Sequence, residues 1–444
     1  MEIRDIIVTP LLLILVYGIA YLVRPYATDQ VNRKYFIPGL SVRIVGALAV
    51  GFIYQFYYQG GDTFAFHTYG SRLIWNAFVD DPYKGVQLLF SDGEYIPDLY
   101  KYSSKIWYYR DPQSYFVIRI AAIFDLFTFS SYSATAVLFA VVGFTGAWLL
   151  FLTFYKIEPN FHRWLALSCL FIPTVFFWGS GIFKDTLTLA ALGIATFFIH
   201  KLLVEKKYSI MAVIIILLSF WIIYSIKKYI LLSFLPAIIV WIMARQMYKI
   251  RSLMLKLILV PVMILISGSF GYFTIQQVAA DDPRYNLNKL AETARTTAYD
   301  IRYWTGKDAG SGYTLGELDG SFGSMISLAP GAINVALFRP YLWEVSNPLM
   351  LLAAFEGIVL FVLTIFVFIH SGRRIFRYLQ NGDVIFCLLF SLVFAFAVGV
   401  STYNFGTLSR YKIPLIPFYL IGIGLIYYYS KRDKKLNVLE ETEK

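Results

Sequence analysis

Apolar runs of roughly 18 residues recur along nearly the whole chain, about the length a helix needs to cross the hydrocarbon core of a bilayer. Lipid offers no partner for a backbone N–H or C=O, so a chain of such runs folds as helices that close their own hydrogen bonds. About eleven runs stand out: 5–23, 40–58, 133–153, 164–178, 186–204, 210–226, 228–245, 257–274, 346–369, 382–401 and 413–430. The expected fold class is therefore an all-α polytopic membrane protein with about 11 transmembrane helices. Composition agrees. Of 444 residues 58% are hydrophobic and only 15% charged, against about 25% charged in a soluble domain. The first run carries no convincing small-residue cleavage site, so a retained span is expected there and not a removed leader. Cys169 and Cys387 both lie inside apolar runs, so no disulfide framework is expected.

Lys and Arg mark the cytoplasmic side of a membrane protein. The connections 24–39, 154–163, 201–209, 245–256 and 370–383 and the tail 431–444 together hold 20 basic and 8 acidic residues. The two long loops have the opposite bias: 59–115 holds 5 basic and 7 acidic residues, and 275–345 holds 6 and 8. The long loops are thus expected outside a cell (inner) membrane and the C-terminus in the cytoplasm. Four regions follow. They are an N-terminal transmembrane bundle, 1–274, with an outer loop 59–131; a second outer loop, 275–345; C-terminal transmembrane helices, 346–430; and a cytoplasmic tail, 431–444. The net charge of +11 belongs to this sidedness, and no nucleic-acid partner is expected.

The first outer loop has helical spacing of apolar residues at Phe64, Tyr69, Leu73 and Phe78, and a second helix is expected over Tyr115–Phe129. Both suit the membrane interface, where aromatic residues concentrate. The second loop opens with a helix expected over Asn286–Trp304, followed by the glycine-rich stretch GKDAGSGYTLGELDGSFGS.

This topology gathers polar groups at one face. Asp62 and His67 follow the second span in QGGDTFAFH. Lys184 and Asp185 end PTVFFWGSGIFKD, and Lys227 and Lys228 cap a hairpin. Arg339 and Glu344 lie in FRPYLWE; Tyr403, Asn404, Arg410 and Lys412 lie in TYNFGTLSRYKIP. Glu356 sits inside the ninth span and needs a partner there. A carboxylate at a membrane edge suits proton removal from a hydroxyl, and Lys or Arg suits a phosphate that gains charge as it leaves. Asp62 fits the first role, as catalytic base with His67 beside it. Lys184, Arg410 and Lys412 fit the second, and the remaining residues are candidates for substrate binding. Each has a structural alternative: helix capping for Asp62, an ion pair for Lys184–Asp185, snorkelling to lipid phosphates for Lys227 and Lys228.

No cofactor is expected. Only four histidines occur, and there is no HExxH, paired-cysteine or EF-hand pattern. A divalent metal held by Asp62 and other outer carboxylates stays open. The absence of GxGxxG and P-loop patterns speaks against nucleotide-driven chemistry.

GGDTFAFH after a span, PTVFFWGSGIFKD opening a helix and NFGTLSRYKIPLIPF near the end resemble bacterial integral-membrane glycosyltransferases of the GT-C structural class. The resemblance implies a polyprenyl-phosphate-linked sugar as donor and a glycan, lipid or protein as acceptor, with membrane lipid around both. It also implies an acidic base in the first outer loop, the position Asp62 holds. The RYKIP stretch is also similar to those of surface-polysaccharide polymerases. Three functions are carried forward: a glycosyltransferase, a polysaccharide polymerase or ligase, and a lipid-linked sugar transporter or flippase.

Overall fold

A computed structural model describes residues 2–248, 250, 252–281, 289–304, 311–316 and 321–442. Among these residues the chain is helical and contains no strand, only an isolated bridge between Gly312 and Asn404. Among the described residues, eight helices are long and apolar enough to cross a membrane, or nine if the bent pair Phe405–Tyr411 and Leu415–Leu436 forms one span. The protein is a polytopic helical membrane protein. It packs as two compact units, Met1–Lys227 and Lys228–Lys444.

The first unit is built on α1 (Ile3–Ala27), α2 (Arg33–Phe56), α3 (Asp62–Phe66), α4 (Arg72–Asp80), α5 (Pro82–Phe90), α6 (Pro112–Thr128), α7 (Tyr132–Ile157), α8 (His162–Ala166), α9 (Pro173–Trp178) and α10 (Lys184–Ile199). The first half of α11 (Ile210–Tyr248) completes it. Small residues let α7 and α10 touch backbone to backbone. A Cβ on Gly193 would lie 2.1 Å from the Gly146 carbonyl oxygen, and one on Gly146 would lie 2.3 Å from the Ala190 Cα. In lipid, where apolar burial gives little drive for helices to associate, such close packing is what holds them. On α2, Phe36 sets its ring edge-on to Phe144 and Trp148 of α7, at 5.1 and 5.0 Å.

Two places account for the difference between eleven expected spans and nine. The run 164–178 is not one helix. Residues 162–183 run the length of α2, with Tyr35 bonded to His162 at one end (2.8 Å) and Tyr54 against Phe183 at the other (5.7 Å between rings). The segment breaks repeatedly on the way. A π-helical turn covers Leu167–Phe171, and Ile172 is extended ahead of Pro173, as proline demands of its predecessor. Beyond Trp178 the chain is non-helical until Lys184, and Gly179 to Phe183 are all buried. Carbonyls freed inside a membrane protein need donors, and three here receive them from side chains. Ser180 bonds the Phe176 carbonyl and Thr186 the Gly181 carbonyl (2.7 Å). Arg43, wholly buried on α2, donates to the Gly179 carbonyl at 2.6 Å.

The second place is α11. Runs 210–226 and 228–245 form one helical stretch interrupted at Lys227, whose φ of −145° and ψ of 79° are non-helical. An unbroken helix of 39 residues would reach about 58 Å, roughly twice the hydrocarbon thickness.

The second unit holds the rest of α11, then α12 (Leu253–Asp281), α13 (Leu290–Trp304), α14 (Ala329–Phe338), α15 (Pro348–Ser371), α16 (Gly382–Thr402), α17 (Phe405–Tyr411) and α18 (Leu415–Thr442). Its aromatic core joins Phe234, Phe386, Phe390 and Phe418, with Trp241 stacked flat on Phe386 at 4.3 Å. Asp383 accepts from the Trp241 indole at 2.7 Å and from Arg245. Helices α17 and α18 meet at 66° around a break that contains Pro414.

The expected loop helices are present, Phe64–Val79 as α3 and α4 joined by a π-helical turn and Tyr115–Phe129 as α6. Of the helix expected over Asn286–Trp304, Leu290–Trp304 is helical; 282–288, and 305–310 and 317–320 of the glycine-rich stretch, lie outside the described residues.

Gly193→Ala should lower thermal stability by about 1–3 kcal/mol through overpacking. Gly18→Ala, where a Cβ meets nothing within 4 Å, should leave the melting transition of the detergent-purified protein in place.

Candidate functional site

The site begins where α2 runs out. Gln59, Gly60 and Gly61 have φ of 56°, 145° and 115° in succession. A side chain at Gly61 would also put its Cβ 2.7 Å from the Tyr54 ring, so glycine answers both demands. The turn delivers Asp62 as the first residue of α3, where the helix dipole favours a carboxylate. Asp62 is half-buried, and the Tyr108 hydroxyl stands 3.5 Å from its Oδ1.

Lys184 opens α10 directly after the buried non-helical stretch. Its ammonium lies 3.4 Å from Asp111 Oδ2, and the charges of Asp62 and Lys227 both act on it. Lys227, at the interruption in α11, forms an ion pair with Asp185; both side chains are more than nine-tenths buried. The first unit therefore gathers Asp62, Asp111, Lys184, Asp185 and Lys227 into one set of interacting charges. Four of these were singled out in the sequence. Asp111 was not. Its sequence signal is that of a helix start, Asp-Pro-Gln-Ser, and it does cap α6, accepting from the Gln113 amide at 3.3 Å and from the Ser114 hydroxyl. Burial pushes its carboxyl up, but the Lys184 ammonium and the bonds from Ser114, Lys184 and Gln113 outweigh this. They hold it below the usual carboxylate value.

His67 faces elsewhere. No part of its side chain is exposed. Nε2 lies 3.4 Å from Asp125 Oδ1 without hydrogen-bond geometry, and the ring meets Tyr132 edge-on at 5.4 Å. Asp125, also fully buried, accepts from Ser71 at 2.7 Å and Thr135 at 2.6 Å. His67 thus belongs to a sealed polar knot joining α3, α6 and α7. His67 was expected as a catalytic residue beside Asp62; its side chain is instead fully buried against Asp125.

The remaining candidates lie in the second unit. Arg339 pairs with Glu344 through Nε at 3.0 Å, and its guanidinium lies 5.6, 5.8 and 5.3 Å from the rings of Tyr313, Tyr341 and Phe405. Asn404 caps α17, accepting from the Thr407 amide at 3.0 Å, and its amide donates to Ser311 at 2.9 Å. The Tyr403 carbonyl accepts from the Tyr313 amide at 3.1 Å. Tyr403 and Asn404 thereby fasten the 311–313 segment. Lys412 is buried in the break between α17 and α18; its Nζ has no hydrogen-bond partner, and the charge acting on it is that of Glu356. Glu356 thus has the counter-charge its position requires. Arg410 is half-buried on α17, and Lys228, also half-buried, opens the unit.

Among the described residues, no group of three or more His, Cys, Asp or Glu is arranged to hold a metal ion. No protein-family model, curated protein or solved structure matches the chain.

Two outcomes test the charge set. Lys227→Ala removes the buried counter-charge of Asp185 and should cost about 3–5 kcal/mol; Lys227→Met with Asp185→Leu should recover most of the loss in a thermal melt. For Asp111 the sign follows from its depressed carboxyl. The ion pair's contribution is present above the unfolded carboxylate value of about 3.9 and is lost as pH falls through the folded value. The stability deficit of Asp111→Asn should therefore stay constant from about pH 5 to pH 7 and shrink only below that range.

Proposed function

We propose that this protein is a membrane-embedded glycosyltransferase of the GT-C kind, moving a sugar from a polyprenyl-phosphate donor to a glycan, lipid or protein acceptor. Support comes chiefly from one observation. Asp62 shares its electrostatic surroundings with Lys184, at the end of the first unit where the α2 span stops. The excess of Lys and Arg in the opposite connections puts that end on the outer face of the inner membrane, with the long loops outside and the C-terminus in the cytoplasm. Eleven crossings remain in keeping with the helices if the interrupted segments 162–183 and 210–248 supply three of them.

In this mechanism Asp62 accepts the proton of the acceptor hydroxyl as its oxygen attacks the anomeric carbon. The bond from that carbon to the donor phosphate oxygen breaks, and the phosphate leaves with the electron pair. Lys184 compensates the charge that the phosphate gains. Asp111 and Tyr108 position Lys184 and Asp62, and the Lys227–Asp185 pair holds the start of α10. A polymerase or ligase of surface polysaccharide would use the same chemistry. It is distinguished by loss of chain length, and not of a single sugar, in the polysaccharide of a deletion strain.

Transport of a lipid-linked sugar is the alternative favoured by the interruptions at 162–183 and at Lys412, since transporters bind their cargo at broken helices. Movement of the lipid across liposomes without covalent change would favour it.

Asp62→Asn, in membranes supplied with labelled polyprenyl-phosphate sugar, should lower transfer by about 10²- to 10⁴-fold with protein level and melting unchanged. Undiminished transfer would remove Asp62 from the mechanism.

A further inference from the structure

A second site lies beside the Gln59–Gly61 turn. A cavity of about 340 Å³ is walled by the start of α1, the last turns of α2, the α3–α4 region and the start of α7, and none of Asp62, Asp111 and Lys184 lines it. Its lining divides into two halves. One half is apolar: Phe52 and Phe56 are both exposed and stacked, with ring centroids 6.1 Å apart. They belong to a helix apolar enough to cross a membrane, so the outer side of this half is a lipid-facing surface. The other half is polar and includes Gln55, Gln59, Thr68 and Ser133.

The charges in the polar half already have partners. Arg72 pairs with Glu2, also at 2.5 Å in its shortest approach, and bonds Ser130; Glu2 pairs with Arg4 at 2.8 Å as well. Asp5 accepts from the Ser131 hydroxyl at 2.7 Å and from the Glu2 amide at 2.9 Å. An ionised headgroup entering here would find no uncommitted counter-charge and would have to shed its water. Amide and hydroxyl groups suit an uncharged polar ligand instead. Tyr69, one of the lining residues, lies flat on Trp107, ring centroids 4.3 Å apart and planes 5° off parallel. The pair gives a rigid amphipathic face of the sort that meets the C–H side of a sugar ring while its hydroxyls bond elsewhere.

We infer that this cavity binds a lipid with a neutral, hydroxyl-rich headgroup, a glycolipid. The headgroup sits among Gln55, Gln59 and Ser133, and the chain lies along Phe52 and Phe56. The binding is independent of the reaction proposed above. Under that reaction, the site would hold a glycolipid acceptor beside the Gln59–Gly61 turn that leads into Asp62.

The probe is a dodecyl glucoside carrying a diazirine in its alkyl chain, photocrosslinked to the purified full-length protein in nanodiscs and mapped by peptide mass spectrometry. Labelling should concentrate on residues 48–56 and be displaced by unlabelled dodecyl glucoside at concentrations that leave it in place with dodecyl phosphate. Gln55→Trp, on an exposed helical position, fills the cavity and should abolish the concentrated label. Gln55→Ala keeps the space and should weaken displacement by about fivefold, the worth of one neutral hydrogen bond. Asp62→Asn should label as the unsubstituted protein does, which separates this test from that of the reaction. Label spread evenly over all lipid-facing helices, persistence in a Gln55→Trp protein that melts normally, or equal displacement by dodecyl phosphate would each overturn the inference.

Discussion

A lysine ammonium withdrawn from water costs several kcal/mol unless an opposite charge meets it inside. Lys227 is met by Asp185, and the first unit is organised about that pair. It ties the interruption of α11 to the first turn of α10. Lys184, the neighbour of Asp185, is thereby set beside Asp111 at the head of α6 and within the field of Asp62 at the head of α3. Three helix starts and one helix break thus converge through charges that none could bury alone. The same requirement that keeps the protein folded keeps two lysines and three carboxylates together at one end of an apolar bundle.

The interruptions belong to this economy of partners. A helix satisfies its own backbone, so a break inside a membrane is tolerated only where the protein supplies donors. Within residues 176–181, Arg43, Ser180 and Thr186 supply donors to the Gly179, Phe176 and Gly181 carbonyls. Gly179 makes room for the guanidinium, since a Cβ there would lie 2.9 Å from Arg43 Nη1, and Gly143 makes room for the Gly179 carbonyl oxygen, 2.7 Å from where its Cβ would stand. In the second unit, Lys412 occupies the corresponding kind of place, a cation at a helix break, with Glu356 as its counter-charge.

His67 and Asp62 show how neighbours in sequence part company. The π-helical turn His67–Ser71 follows α3 at once and rotates His67 toward Asp125. Asp62, at the exposed start of the same helix, stays half-buried beside Tyr108. One residue serves the packing of the loop helices on α7; the other keeps part of its surface open.

Hydropathy alone determined that this chain folds as apolar helices with two long polar connections, because the need to satisfy every backbone group in lipid leaves few choices. The two glycines before Asp62 likewise suit a turn, since glycine adopts positive φ without strain. Lys184, Asp185 and Lys227 could be named from their positions at the ends of apolar runs. What the linear order did not contain was who meets whom. Asp111, which was not singled out, proved to be a helix cap and a lysine's partner, and His67, expected beside Asp62, proved sealed against Asp125. Run 164–178 read as one span and proved to be short helices stitched by a buried arginine on another helix. Those outcomes depend on which helix faces lie against each other, and therefore on contacts between residues far apart in the chain. Periodicity reports only the burial of a face; tertiary packing decides its neighbours.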